Sequence, residues 1–237
     1  MRCAKIILLA LAMSIFGIAF ASAQTFSNGG FETGSFPPWT TTGTAAVSGT
    51  FSSQPPAEGS FQAVLSAPFQ SGTVSQSSLE TFLELNSGTL NPLNGSSTFH
   101  GGSAIAQVFT IADGSVISFQ WDFIPNGSNV ASDQNDSAFF VLHLSGSNSS
   151  FFTLLDQTSN HPGSPSLYQT FTTTPLAAGT YILGFGLYDR AGNAGGSDAQ
   201  DPNLLIDNVQ VIPEPSTWSL LGFGAFLALL FFRQRLA

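Results

Sequence analysis

Every second residue from Ile117 to Phe123 is large and apolar: Ile117, Phe119, Trp121 and Phe123 alternate with Ser118, Gln120 and Asp122. A strand sends successive side chains to opposite faces, so this period of two describes a ribbon with one buried and one polar face. Tyr181, Leu183, Phe185 and Leu187 repeat the pattern, and further candidate strands lie at 44–51, 61–67, 103–111, 137–145, 150–156, 167–172 and 203–212. Asp113-Gly114 reads as a hairpin turn between two of them and Ala178-Gly179 as another turn. Many short strands without a long helical stretch predict an all-β, two-sheet sandwich of the jelly-roll type. One short helix interrupts it. Ser77 to Glu80 fits a capping box, Leu79, Phe82 and Leu83 make an apolar stripe, and Gly88 can end the helix. That helix should pack as a lid on one sheet.

Charge narrows the function. Between residues 24 and 212 Arg190 is the only Lys or Arg, against thirteen of the chain's fourteen acids. Nucleic acid is excluded as a partner, because phosphate contacts need clustered cations. Anionic membrane surfaces are disfavoured for the same reason. The single cysteine, Cys3, lies outside this span, so no disulfide can brace it. The core, and perforce any bound cation, must supply the stability. The 126–137 and 191–203 stretches, rich in Gly, Ser, Asn and Asp, read as long loops, and no repeat of twenty to fifty residues is present.

The two ends carry addresses. Arg2 and Lys5 precede an apolar run from Ile6 to Phe20, and Ala21-Ser22-Ala23 forms a small-x-small cleavage site. Residues 1–23 therefore read as a secretory signal peptide, cut by signal peptidase so that the mature chain begins near Gln24. At the other end, residues 217–232 are uncharged and would make about 24 Å of helix, close to a ~30 Å hydrocarbon core. Trp218 would sit at one interface, with Arg233 and Arg235 on the cytoplasmic side. This predicts a single transmembrane helix. Together, Pro213-Glu214-Pro215, one apolar helix and the terminal Arg233 and Arg235 resemble the PEP-CTERM sorting tail. The resemblance implies processing near that triplet by an exosortase, a membrane transpeptidase. The precursor would be held transiently in the inner membrane, and the product would reach the cell surface or an exopolysaccharide matrix. The expected organisation is then 1–23 signal, 24–212 sandwich and 213–237 sorting signal.

The middle resembles the galactose-binding-like or carbohydrate-binding-module-like jelly rolls that such proteins often carry. The matching segments are Asn28 to Gly34 with Trp39, then 79–85, 102–109, 119–123, 135–140 and 204–209. In such jelly rolls an acid after the first strand and one in the last strand often hold a structural Ca2+, which here implies Glu32 and Asp207. Parity alone would place Leu205, Asp207, Val209 and Val211 on one face, and an acid on an apolar face needs a partner or a cation. Calcium takes six to eight oxygens, so Asn28 and Asn208 would have to help. The alternative is a carboxylate at the rim, hydrogen-bonded to backbone amides. Asp133, Asn135 and Asp136, with Asp198 and Asp201, form two acidic loops that close a second calcium site, lie over a ligand groove, or are solvated turns.

For sugar, Trp39, Tyr168 and Tyr188 are the candidate ring platforms, while Trp121 reads as core. His100, His143 and His161 are scattered, and no nucleophile elbow, zinc signature or phosphate loop occurs. The expectation is a non-catalytic surface or matrix protein with glycan and calcium binding. A purely structural or adhesive component and a secreted glycan-active hydrolase are the alternatives.

Overall fold

The computed structural model describes residues 26–68, 72–94, 98–125, 136–160, 167–191 and 201–213. Gln24–Ile212 is one compact unit; the other comprises Met1–Ala23 and Pro213–Ala237, of which only Pro213 is described. The predicted signal peptide and transmembrane helix therefore lie outside the described residues. Among the described residues, no helix is long and apolar enough to cross a membrane.

In chain order the strands are β1 (Thr40–Thr42), β2 (Thr44–Ser48), β3 (Gln62–Ser66), β4 (Thr98–Ile111), β5 (Val116–Ile124), β6 (Ser137–Leu144), β7 (Thr153–Gln157), β8 (Gln169–Thr172), β9 (Gly179–Ala191) and β10 (Asn203–Ile212). Helices α1 (Gln76–Phe82) and α2 (Asn91–Asn94) fall between β3 and β4. The strands form two five-stranded sheets, β1-β4-β9-β6-β7 and β2-β3-β10-β5-β8. All neighbouring pairs are antiparallel. The fold is an all-β, two-sheet sandwich with few helices. Each stretch expected to be a strand coincides with all or part of one, β4 and β9 running several residues further, and β1 is an addition.

Alternation builds the core. Ile117, Phe119, Trp121 and Phe123 of β5 meet Leu183, Phe185 and Leu187 of β9 between the sheets, with Leu204, Ile206 and Val209 of β10 beside them. Phe119 is the hub of this layer, stacked on Phe171 at 5.3 Å and edge-on to Phe185 at 4.8 Å and Phe140 at 5.1 Å. Each such pair adds about 0.5–1.5 kcal/mol beyond area burial.

The outward face of the first sheet is apolar too, and the helical segment covers it. Leu79, Leu83, Leu90 and Leu93 pack on Ala104, Ala106, Val141 and Ile182. A β-carbon on Gly184 would stand 2.4 Å from Leu83 Cδ2, so the lid seats only on a bare backbone there. The lid was expected, but its caps differ. Ser75 is the N-cap, its hydroxyl accepting from Ser78 N, and α1 stops at Phe82, well before Gly88. Glu80 closes no capping box. Its buried carboxylate accepts from Gly88 N at 3.0 Å and Leu90 N at 2.9 Å, stapling the segment between the helices. A carboxylate can satisfy amides wherever the chain returns to it, which spacing does not reveal.

Asp113-Gly114 is likewise no hairpin. β4 and β5 lie in different sheets, so this turn is a corner, and Gly114 N donates to Leu176 O at 2.9 Å. Turn chemistry states that the chain reverses, but pairing partners decide which sheet receives it.

Candidate functional site

The second sheet's outward face is shaped by an irregularity in its central strand. Asp207 pairs with Gln120, but Gln210 pairs with Ser118, so β10 carries one extra residue there. Asn208 absorbs it at φ 50°, a left-handed conformation that Asn tolerates better than most residues. The bulge reverses parity. Val209 and Val211 turn inward, while Asp207 shares the outward face with Leu205. The parity expectation for these four residues is therefore corrected. The Asp-Asn step was its one sequence signal, because regular alternation assumes an unbroken ladder.

Asp207 is 0% exposed. Its Oδ2 accepts from Glu58 N at 2.9 Å and its Oδ1 from Asn208 N at 2.7 Å. Glu32 reaches the same loop from the N-terminal segment: Oε1 accepts from Ser60 N and Phe61 N and Oε2 from Ser60 N, all at 3.0 Å. Gly59, at φ +64°, leaves the room this needs, since a β-carbon would fall 2.4 Å from Glu32 Cδ. The two acids are neighbours: a β-carbon on Gly30 would touch Glu32 Cγ at 3.6 Å and Asp207 Oδ1 at 3.8 Å. Burial pushes the Asp207 carboxyl up to about 6; amide donors from Glu58, Asn208 and Ala57 oppose this, and the Glu32 charge adds to it.

The structure thus brings Glu32 and Asp207 together on segment 57–61. Their donors are hard oxygens, the kind calcium takes. The sole Lys or Arg of the domain, Arg190, is on β9 in the other sheet. Against that, these oxygens already accept backbone N–H groups. Among the described residues no group of three or more His, Cys, Asp or Glu is gathered to hold a metal. A cation here would need carbonyl or water oxygens as well.

The two asparagines are employed otherwise. Asn28 Nδ2 donates to Ser35 O at 2.7 Å and Pro37 O at 3.2 Å, clasping its own loop. Asn208 Nδ2 donates to Gln120 Oε1 at 3.1 Å. Asp136 is buried beside β9, accepting from Arg190 N at 3.0 Å and Thr158 Oγ1 at 3.3 Å. Asp133, Asn135 and Asp198 lie outside the described residues.

Two of the three ring platforms are interior. Trp39 is 3% exposed, lies among Phe26, Phe31 and Phe185, and donates its indole N–H to Asn28 O at 3.1 Å. Tyr188 is 0% exposed because α1 covers the face from which it projects, and its hydroxyl donates to Gln76 Oε1 at 3.1 Å. Expecting these rings on the surface is corrected by where the lid and the N-terminal loop lie. Tyr168 is half-buried on the second sheet's outward face and donates to Gln62 Oε1. Burial, then the charges of Asp207 and Asp122, hold its phenol well above the ordinary range.

Beside Tyr168 the same face is paved with hydroxyls and amides. The register aligns Thr170 with Gln120 and Asp207, and Thr172 with Ser118 and Gln210. Thr172 Oγ1 donates to Ser118 Oγ at 3.3 Å. Thr170, Thr172 and Gln210 are exposed, and Gln120 and Asn208 are half-buried. These rows required a register, which no spacing in the sequence supplies.

Of the histidines, His143 has Nε2 3.1 Å from the Leu83 carbonyl and Nδ1 3.1 Å from the Leu144 carbonyl, and its Nε2–H tautomer ties the lid to β6 by donating to Leu83 O. His100 is exposed, and His161 lies outside the described residues. Ala21, Ala23, Gln24, Glu214, Pro215, Arg233 and Arg235 also lie outside them.

No family model matches the chain, and no curated protein matches it. Solved structures do. A carbohydrate-binding module in complex with β-1,4-galactotriose is 13% identical over 81% of this chain and 100% of its own, with a TM-score of 0.45. A carbohydrate-binding module of the β-sandwich superfamily is 13% identical over 81% of this chain and 63% of its own, TM-score 0.43. The K1 cleaved adhesin domain of Lys-gingipain from Porphyromonas gingivalis is 11% identical over 82% and 100%, TM-score 0.41. The class defined here, a two-sheet antiparallel β-sandwich, rests on the strand order itself.

Proposed function

We propose that this chain is an exported, non-catalytic surface or matrix protein whose jelly-roll sandwich binds glycan through the polar face of its second sheet. The observation that carries the reading is the rows of Thr170 with Gln120 and Thr172 with Ser118 and Gln210, with Tyr168 at their end. Polyhydroxylated ligands are held by such amides and hydroxyls, with a ring beside them for C–H contact. The Pro213-Glu214-Pro215 tail and the leader support export and exosortase processing, with signal peptidase acting at the other end.

Calcium belongs to this proposal as a structural ion at Glu32 and Asp207. When bound it would neutralise two neighbouring carboxylates and brace segment 57–61.

The test is a glycan array probed with the full chain purified in mild detergent, wild type against Gln120→Ala and Thr170→Ala. Binding that weakens at least fivefold in both variants is the expected outcome. A chain that binds no glycan would be a structural or adhesive matrix component, and sugar release from the array would make it a hydrolase.

A further inference from the structure

Among the described residues, one aromatic ring stands far out in solvent. Phe151 is 81% exposed. It lies in the connection between β6 and β7, next to Phe152, whose ring turns inward against Phe139 at 5.6 Å, edge-on. Of two successive phenylalanines one is thus an anchor and the other is held out to solvent.

The backbone carrying Phe151 is fixed from several sides. Ser149 N donates to Glu84 O at 3.0 Å, and Asn86 N donates to Ser149 O at 2.7 Å, so 84–86 and 149 run as a short ladder. Asn86 Nδ2 donates to Ser150 Oγ at 2.7 Å, and Phe151 N donates to Ser149 Oγ at 3.1 Å. Gly146 N closes the turn on Glu84 Oε2 at 2.7 Å. An isolated exposed apolar side chain is ordinary. An exposed ring on a backbone clamped by a neighbouring segment is prearranged contact area, because little freedom is left to lose on binding.

The surroundings indicate what kind of molecule the ring suits. The same clamp carries an amide and two hydroxyls: Ser149 Oγ, which also donates to Phe151 O at 3.4 Å, and Ser150 Oγ, which accepts from Asn86 Nδ2 and leaves the Asn86 carbonyl oxygen as a further acceptor. An exposed phenyl ring on a loop that carries such groups suits a pyranose, which has a flat C–H side and a hydroxyl rim. The ligand should be uncharged: the chain carries a formal charge of -9, and Arg190 is the only Lys or Arg between residues 24 and 212, so uronic acids or sulfated sugars would be repelled.

We propose that Phe151 and its hydroxyl- and amide-bearing surround, Asn86, Ser149 and Ser150, form a second carbohydrate subsite selective for neutral pyranoses. This inference rests on the glycan reading above and adds to it a place, separate from the sheet face, and a ligand charge class.

The experiment is affinity electrophoresis of the full chain in mild detergent through gels containing soluble neutral polysaccharides or, in parallel, polyuronates. Wild type, Phe151→Ala, Phe151→Trp and Gln120→Ala are compared, with melting temperatures as a folding control. Expected are retardation by a neutral polymer, a ~10-fold affinity loss in Phe151→Ala at unchanged melting temperature, and recovery in Phe151→Trp. Undiminished binding by Phe151→Ala while Gln120→Ala weakens would overturn the subsite and leave the glycan reading standing. Stronger retardation by polyuronates than by any neutral polymer would overturn the charge class. No retardation of wild type by any polymer would remove the glycan reading and this inference with it.

Discussion

At the residue scale the most informative group is Asp207, a buried carboxylate whose pKa rises from 3.8 to about 6 on folding. Below about pH 4 it is protonated in both states. Between there and pH 6 the unfolded chain releases the proton while the folded chain keeps it, so this group's stabilising contribution falls as pH rises. Two pH units correspond to about 3 kcal/mol. In EDTA, wild type should lose up to that amount relative to Asp207→Asn between pH 4 and 7, measured by denaturant melts at each pH. If calcium binds at Glu32 and Asp207, adding it should flatten the wild-type slope and leave Asp207→Asn unchanged. Equal slopes with and without calcium would end the calcium proposal. The jelly-roll resemblance points to Glu32 and Asp207, and the structure sets the two carboxylates side by side. Their shared hold on 57–61 was not legible in the sequence, because N–H groups leave no side-chain signature.

At the scale of elements, two devices determine which β10 residues share a face with Asp207 and which sheet face stays open. The first is the bulge in β10. Asn208 at φ 50° should be replaceable by Gly at little cost, while Val there should cost about 1–2 kcal/mol, since a β-branched side chain resists the left-handed region. Comparable stability of the Gly and Val variants would mean that Asn208 does not need that conformation. The second is the lid. Leu79 is fully buried against the first sheet, so Leu79→Ala should cost about 2–5 kcal/mol and expose Tyr188, which sits beneath it. Solvent access to the Tyr188 ring, followed by near-ultraviolet absorbance, reports that opening. A variant with wild-type stability would show that the lid contributes nothing to the fold. The stripe of Leu79 and Leu83 announced a helix with an apolar side. It could not say that this side would cover Tyr188, which therefore looked like a surface ring.

At the scale of the whole molecule, residues 24–212 hold a single Lys or Arg and no cysteine, between the proposed leader and the proposed sorting tail. If the tail is a sorting signal, mass spectrometry of the protein recovered from the cell surface should show a new C-terminus near Pro213-Glu214-Pro215. Replacing Pro213 and Pro215 with Ala should leave the intact chain in the membrane fraction. An intact C-terminus on surface-recovered protein would contradict exosortase processing.

Period-two alternation in segments such as 115–123 and 181–187 was enough to define strands, their buried faces and the all-β class, because side-chain direction in a strand is a local property. The charge balance, also local arithmetic, argues against a phosphate-rich partner. Tertiary structure alone decided that Asp113-Gly114 would turn a corner between sheets, that Trp39 would be core, and that Thr170, Gln120 and Asp207 would stand in one row. Those outcomes depend on partners far apart in the chain, and within β10 one extra residue at Asn208 puts Val209 and Val211 on the opposite face from Asp207.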